Sequence, residues 1–409
     1  MRVIDKLKVY IHKKNTGPIY LLRIFHGKIV YIKMQMQYTL LPFKYSKDKS
    51  IVATSLGGDV YGDNPAYIIE KIHELDPTIK LIWLVAPDAK INCPEYINLQ
   101  VNNDINVLRL LAKASVIIDN DRKFLNWHSS KRSLIIQTWH GGLGIKNIGY
   151  NSAAKKDTKR KKEKRLYDFY ISDSEHISRV YRSAFCYHGP IWRCGYPLED
   201  ELYIEYDEKI KIREKYRLTH DTKIILYAPT FREMYDWNCK LQPSKIIDAF
   251  KRRFGGKWIL AIHWHPNLKG EMLGMPDAVD MSNWHNMQSL IKASNAFISD
   301  YSSSIFQAVQ IDIPCFIYAD DFKQYQNDRD LCYPLEELPF PYAFTNEELV
   351  KNIVNYEENI WRRKWKIFQN RMGHIVTGHS AEDIAKVCVE FINGKTKKSI
   401  LKELEFEDF

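Results

Sequence analysis

From about residue 50 onward, short runs of consecutive apolar residues alternate with stretches whose apolar positions recur every three or four residues. The first runs are 51–54 (IVAT), 81–85 (LIWLV), 115–119 (SVIID), 134–138 (LIIQT) and 168–172 (DFYIS). They are apolar without strict alternation, which predicts strands buried on both faces. After the first run, Asn64-Pro65 opens an amphipathic stretch to Leu75, with Asn64 expected as N-cap and Pro65 in the first helical position. Strands separated by helix-length segments predict a parallel α/β sheet.

The pattern breaks around Gly195-Tyr196-Pro197 and the charged stretch up to Lys215, then resumes. The second series is 223–228 (KIILYA), 257–262 (KWILAI), 295–299 (NAFIS) and 314–318 (PCFIY). Two successive Rossmann-like halves with a ligand between them, at the strand C-termini, are the economical architecture. The boundaries expected are 1–49 for a basic N-terminal segment, 50–200 and 201–375 for the two Rossmann-like domains, and 376–409 for a C-terminal helix and tail. The last part, roughly 346–393, reads as helical and is rich in Trp, Arg and Lys.

Composition narrows the class. The chain has 409 residues, 45% hydrophobic and 27% charged, which suits large globular cores and excludes collagen or long disorder. Its formal charge is +10, but that excess is local. Residues 1–49 hold eleven basic side chains against two acidic, and 155–165 (KKDTKRKKEKR) hold eight against two. The remainder is mildly acidic. Two basic patches suit an anionic membrane surface or a phosphate-rich partner. Nucleic acid is not expected, because the 155–165 run has no interleaved aromatics and the chain carries no nucleic-acid motif. The seven cysteines, at 93, 186, 194, 239, 315, 332 and 388, form no CxxC, and a reducing cytosol is expected. No signal peptide is read, and 19–34 is interrupted by Arg23, His26, Lys28 and Lys33, against a membrane span.

Polar residues just past strand ends are the functional candidates of such a fold. Four clusters stand there. In Gln137-Thr138-Trp139-His140-Gly141-Gly142, the glycines permit close backbone approach and a neutral imidazole is able to take a hydroxyl proton. Thr230 and Arg232, in 227–232 (YAPTFR), suit phosphate oxygens, or else a helix cap and a surface charge. In His263-Trp264-His265 the strand period sends the two rings to opposite faces, so one His faces the cleft and the other packs elsewhere. No Asp, Glu or Cys set completes a metal site around them. Ser302 and Ser303, in 299–304 (SDYSSS), stand before an apolar helix and read either as an anion site or as capping hydroxyls. No P-loop and no G-x-G-x-x-G is present.

Taken together, QTWHG (137–141), GYP (195–197), LYAPTFR (226–232), HP (265–266) and SDYSS (299–303) resemble the CDP-glycerol glycerophosphotransferase family, the teichoic-acid primases and polymerases, over about residues 50–390. The resemblance implies a GT-B fold, with 50–200 as the acceptor side and 201–375 as the nucleotide-donor side. It implies a transferase that moves a polyol phosphate, glycerol phosphate foremost, from a CDP-activated donor to a hydroxyl of a lipid-linked or polymeric acceptor. The catalytic pair would be His140, as general base, and His265, which would bind the diphosphate and assist the leaving phosphate. Gly141, Gly142, Pro197, Thr230, Arg232, Ser302, Ser303 and Gln307 would line the donor site, without metal or cofactor. The implied workplace is cytoplasmic, peripheral on the inner face of the cell membrane, with an anionic surface and a teichoic-acid or capsular polymer as partners.

The chain departs from the family pattern in three places. Gly142-Leu143 stand where Thr-Pro is usual, with the following Lys one position away at Lys146. Leu198-Glu199 replace Arg-Asn after GYP, and Gln307 stands where a carboxylate is usual. The donor polyol therefore stays open between glycerol, ribitol and something less usual. A GT-B glycosyltransferase using a nucleotide sugar is the alternative that shares the fold.

Overall fold

A computed structural model describes residues 47–102, 104–121, 132–152, 167–205, 208–232, 237–264, 275, 277–328, 330–404 and 406. The basic segments, apart from residues 47–49, and His265 lie outside the described residues.

The first half contains strands β1 (Asp48–Thr54), β2 (Lys80–Val85), β3 (Asn98–Val101), β4 (Ala114–Asp119), β5 (Leu134–Gln137), β6 (Phe169–Ser172) and β7 (Ile191–Arg193). Every neighbour pair is parallel, in the order β3-β2-β1-β4-β5-β6-β7. The second half contains β8 (Thr222–Ala228), β9 (Lys257–Ile262), β10 (Ala278–Asp280), β11 (Ala296–Ser299), β12 (Cys315–Tyr318) and β13 (Tyr342–Ala343). They too are parallel, ordered β10-β9-β8-β11-β12-β13. Each sheet starts centrally, winds outward one way and then the other. The order thus reverses between β1 and β4 and between β8 and β11, where a doubly wound fold places its ligand crevice. This is the two-domain GT-B architecture.

Helices cover the sheets. In the first half they are α1 (Asp63–Leu75), α2 (Asp104–Lys113), α3 (Glu175–Phe185) and the short α4 (Pro197–Asp200). In the second they are α5 (Glu208–Lys215), α6 (Pro243–Phe254), α7 (Met287–Ala293), α8 (Ser304–Gln310), α9 (Phe322–Asp328), α10 (Asn346–Val354) and α11 (Glu358–Met372). The chain ends in α12 (Ser380–Ile392) and α13 (Lys397–Glu403).

The 376–409 segment, expected as a C-terminal helix and tail, contains α12 and α13, and α12 returns to the first half. Ile384, Ala385 and Cys388 are buried there in one core with Ile51, Ile69, Ile72 and Trp83. Lys397 ties α13 to the same body through Asp168 at 2.8 Å. A buried isoleucine is worth about 1.5–3 kcal/mol, so this segment holds the first domain together. Asn64 is not the expected N-cap, since α1 begins one residue earlier with Gly62 in the cap position. Its buried side chain instead donates to the Trp139 carbonyl at 3.0 Å and accepts from the Leu198 amide at 3.1 Å.

The segment after β5 also crosses between halves. Leu143 and Ile145 pack in the core of the second sheet. The Cys332 amide donates to the Ile145 carbonyl at 2.8 Å, and the Asn147 amide to the Asp330 carbonyl at 3.0 Å.

Candidate active site

β5 ends at Gln137, and the backbone then turns through Trp139 at φ 56°, in the left-handed region that a bulky residue occupies only under constraint. The constraints are visible. The Trp139 amide donates to Gln137 Oε1 at 2.8 Å, its carbonyl accepts from Asn64, and its ring stacks on His140 with centroids 4.1 Å apart. Together they fix where the next side chain points.

That side chain is His140, exposed and held by one hydrogen bond, 2.8 Å from Nδ1 to the Asn120 carbonyl. A carbonyl only accepts, so Nδ1 carries the hydrogen and the neutral ring keeps its lone pair on Nε2. Asn120 directly follows β4, and its side chain is itself fixed, donating to Ser55 Oγ at 2.8 Å and accepting from the Leu56 amide at 2.8 Å. The loops after β1, β4 and β5 thereby meet at His140. Asp63, at the start of α1 with φ 58°, belongs to this cluster. Burial pushes its carboxyl above the ordinary value, opposed by the charge His140 carries when protonated and by hydrogen bonds from the Asn64 amide and the Asn120 side chain. Beneath them Asp119 is fully buried, accepts from Tyr167 at 3.0 Å, and is pushed up to about 8 by burial.

Gly142 has a different reason to be glycine. A Cβ there would collide with the Asp173 carboxylate, which also accepts from the Leu143 amide at 2.9 Å. Tyr196, from the GYP stretch, stands on the other side of Gly142 and shares a hydroxyl contact with Tyr181 at 2.5 Å. Pro197 takes the first helical position of α4 and is buried. Glu199, two residues on, is buried as well, and burial together with the Asp173 charge pushes its carboxyl up to about 8. It accepts from Gln310 of α8 at 3.4 Å. The His140 loop, the GYP stretch and α8 are thus linked across the two halves.

The second crevice lies between β8 and β11. The Thr230 amide donates to both oxygens of Asp300, at 2.9 and 3.1 Å, while among the described residues the buried Thr230 hydroxyl has no hydrogen-bond partner. Ser303 is the residue before α8, but its hydroxyl caps nothing. Ser302 Oγ lies 2.8 Å from Ser304 Oγ and accepts from the Ser304 amide, the first of α8, at 3.3 Å. The capping reading thus fits Ser302 and not Ser303. Gln307, one turn into α8, accepts from Gln288 at 3.1 Å. His263 packs into the body, 3.1 Å from the Trp284 carbonyl, and burial lowers its pKa.

Arg232 departs from its expected place at phosphate. Its side chain is 1% exposed, with Nε 2.6 Å from Asp321 and Nη1 2.8 Å from Asp300. Nη2 adds a second bond to Asp321 at 3.0 Å, and Nη1 reaches the Thr230 carbonyl at 2.5 Å. Trp237, Tyr301 and Tyr325 surround the guanidinium at 4.3–5.0 Å. It braces the crevice from below and is not open to a ligand.

Among the described residues no three His, Cys, Asp or Glu side chains gather to hold a metal ion, and no helix is long and apolar enough to cross a membrane. Sequence reasoning missed Asp63, Asn120, Asp173 and Glu199. Asn120 was findable, since it follows the 115–119 run as the four clusters follow theirs.

Two parallel doubly wound sheets, with a histidine loop at the crevice of one and a Thr/Ser cluster at the crevice of the other, define a GT-B-type protein. The chain belongs to the CDP-glycerol:poly(glycerophosphate) glycerophosphotransferase family, whose model matches residues 35–390. It is 26% identical over 360 residues to the teichoic acid poly(glycerol phosphate) polymerase of Staphylococcus epidermidis, a match over 83% of this chain and 50% of that protein. It is 27% identical to the corresponding polymerase of Bacillus spizizenii, over 76% of this chain and 85% of the other. The chain thus spans about half the length of the S. epidermidis relative and most of the B. spizizenii one. Among solved structures, the wall teichoic acid polymerase TagF superposes with a TM-score of 0.72 at 25% identity, covering 92% of this chain and 99% of that one.

Proposed function

We propose that this chain transfers glycerol phosphate from CDP-glycerol to a hydroxyl of a lipid-linked or polymeric acceptor, in the synthesis of a teichoic acid or capsular polymer. The acceptor oxygen forms a bond to the phosphorus that carries glycerol, the bond from that phosphorus to the bridging oxygen breaks, and CMP leaves. His140 Nε2 receives the hydroxyl proton. The observation that carries the reading is the ring itself: exposed at the crevice, with Nδ1 committed to the Asn120 carbonyl and Nε2 left as the basic atom.

On the donor side, the unpartnered Thr230 hydroxyl and the hydroxyls of Ser302 and Ser303 take phosphate oxygens, while Gln307 stands one turn further along α8. Gly141, Gly142 and Pro197 shape the wall between the halves. His265 is assigned to the diphosphate from the family pattern. Phosphoryl transfer depends on position and on neutralised charge, which such a set supplies. The enzyme works without a metal or organic cofactor, at the cytoplasmic face of the membrane. The basic segments 1–49 and 155–165 meet anionic lipid or the phosphates of the acceptor.

The test is CMP release by the purified chain with a lipid-linked acceptor and CDP-glycerol, CDP-ribitol or a nucleotide sugar in parallel. CMP with a CDP-polyol, reduced roughly a hundred- to ten-thousand-fold by His140→Ala without loss of folding, is the expected result. Release of nucleotide from the sugar donor alone would overturn the reading.

A further inference from the structure

His140 is oriented by a group that carries little charge. Its Nδ1 donates to a peptide carbonyl, that of Asn120, at 2.8 Å, which fixes the tautomer. When Nε2 takes a proton the ring becomes a cation, and a carbonyl dipole balances that cation only in part. The ring also stands beside the start of α1, where the Asn64 side chain donates to the Trp139 carbonyl at 3.0 Å. A helix presents roughly half a positive charge at its N-terminus, which disfavours an imidazolium there. Protonation of this ring therefore needs a negative charge nearby.

Asp63 is the first residue of α1, partly buried, with its backbone in the left-handed region at φ 58°. The Asn64 amide donates to its Oδ1 at 2.6 Å, and the Asn120 side chain donates to the carboxyl as well. Both partners are N–H donors, which favour the ionised carboxylate. Asn120 thus holds the ring with its carbonyl and the carboxylate with its side chain, and the two lie within electrostatic reach of each other. The loops that meet here also bring Asp119, Asp121 and Tyr167. Asp119 accepts from Tyr167 at 3.0 Å and from the Asp121 amide at 2.9 Å, and burial pushes it up to about 8, so at neutral pH it is mostly uncharged. The Asp121 carboxylate lies against Gly57, in the loop after β1.

We infer that Asp63 is a positioning residue acting through His140: its carboxylate offsets the charge that the ring gains on accepting the hydroxyl proton. The inference rests on the proposed transfer and gives Asp63 no proton of its own. The hydroxyl proton passes to Nε2, the acceptor oxygen bonds to phosphorus, the bond from phosphorus to the bridging oxygen breaks, and CMP leaves. Asp63 acts where charge develops, so its loss lowers turnover and leaves donor binding in place.

The experiment compares the full-length wild type with Asp63→Asn and Asp63→Glu. Asparagine is close to isosteric and tolerates the left-handed backbone, so Asp63→Asn melts as the wild type does. The first measurement is an NMR titration of the His140 ring without substrate, its signal identified by loss in His140→Gln. The ring is exposed, so solvent holds the effect to about one pH unit, downward, in Asp63→Asn. Asp63→Glu restores most of that shift. The second measurement is CMP release with CDP-glycerol. In Asp63→Asn kcat falls about tenfold, the Michaelis constant for the donor stays within about twofold, and the acid limb of kcat/KM moves to lower pH with the ring. A ring titration unmoved by Asp63→Asn would overturn the inference, as would an unchanged kcat. A raised donor Michaelis constant at wild-type kcat would overturn it too, making Asp63 a binding group. Because the titration needs no substrate, a shifted ring in a chain that releases no CMP would overturn the transfer reading and uphold the pairing of Asp63 with His140.

Discussion

Replacing Arg232 separates two roles that a sequence motif cannot. If its guanidinium served donor phosphate, Arg232→Met would weaken substrate binding and leave the fold alone. In the structure the guanidinium is buried between two carboxylates, bidentate to Asp321 at 2.6 and 3.0 Å and 2.8 Å from Asp300. Asp300 is fully buried and the Asp321 side chain is 7% exposed, so removing the arginine strands two negative charges in the interior. Breaking a buried pair in this way costs about 3–5 kcal/mol, mostly as the desolvation of the charge left behind. For a body of this size that lowers Tm on the order of 10 °C. Adding Asp300→Asn to Arg232→Met removes one of the stranded charges and recovers part of the loss, a coupling that a thermodynamic cycle measures. The assay is thermal and urea unfolding of the three proteins beside the wild type. An Arg232→Met protein that melts like the wild type, with only the Michaelis constant for the donor raised, would refute the bracing role.

Gly142→Ala places a methyl group against the Asp173 carboxylate, so the His140 loop must shift. A destabilisation of about 1–3 kcal/mol and a fall in turnover are expected, read by unfolding and steady-state kinetics. Glu199 gives a pH test. Its carboxyl is pushed up to about 8 in the folded protein against an ordinary value of 4.5, so the folded state binds the proton more tightly than the unfolded chain. That contribution is complete below about 4.5 and fades as pH rises through about 8. Glu199→Gln should flatten this part of the stability–pH curve, and an unchanged slope would remove Glu199 from the account.

What could be read in the sequence follows from burial. Every strand marked by an apolar run is internal to its sheet: β1, β2, β4, β5 and β6 in the first, β8, β9, β11 and β12 in the second. The four unmarked strands are the four sheet edges, β3, β7, β10 and β13. An edge buries less surface and needs fewer apolar residues. The β3 residues Asn98–Val101 are all exposed, and Tyr342–Ala343 is too short to leave a pattern. Placement was legible where polar residues follow strands, since His140, Thr230, Ser302 and Ser303 stand just past β5, β8 and β11. A role was not legible where it depends on long-range partners. Nothing local distinguishes Arg232 facing a phosphate from Arg232 facing Asp321 89 residues away. Asn64 before Pro65 has the signature of a cap, yet its buried amide bridges Trp139 and Leu198.

The same long-range contacts bear on how the cleft moves. By chain order the His140 loop belongs to the first sheet, and at His140 it is fastened there by the Asn120 carbonyl. Within a few residues it is fastened to the second body, where Leu143 and Ile145 lie in the core and the 145–147 backbone bonds to residues 330 and 332. Pulling the bodies apart at this point exposes two buried apolar side chains, at about 1.5–3 kcal/mol each, and leaves backbone groups unpaired. A hinge that kept those contacts would instead drag the loop off Asn120 and release the tautomer lock on His140. The α12 return, from the second body onto the first, adds another fixed crossing. A wide rigid-body opening therefore breaks one clamp or the other. The proposed base is held by its loop at a nearly constant place relative to the second body, so the proposed transfer would need only small closure once a donor is seated.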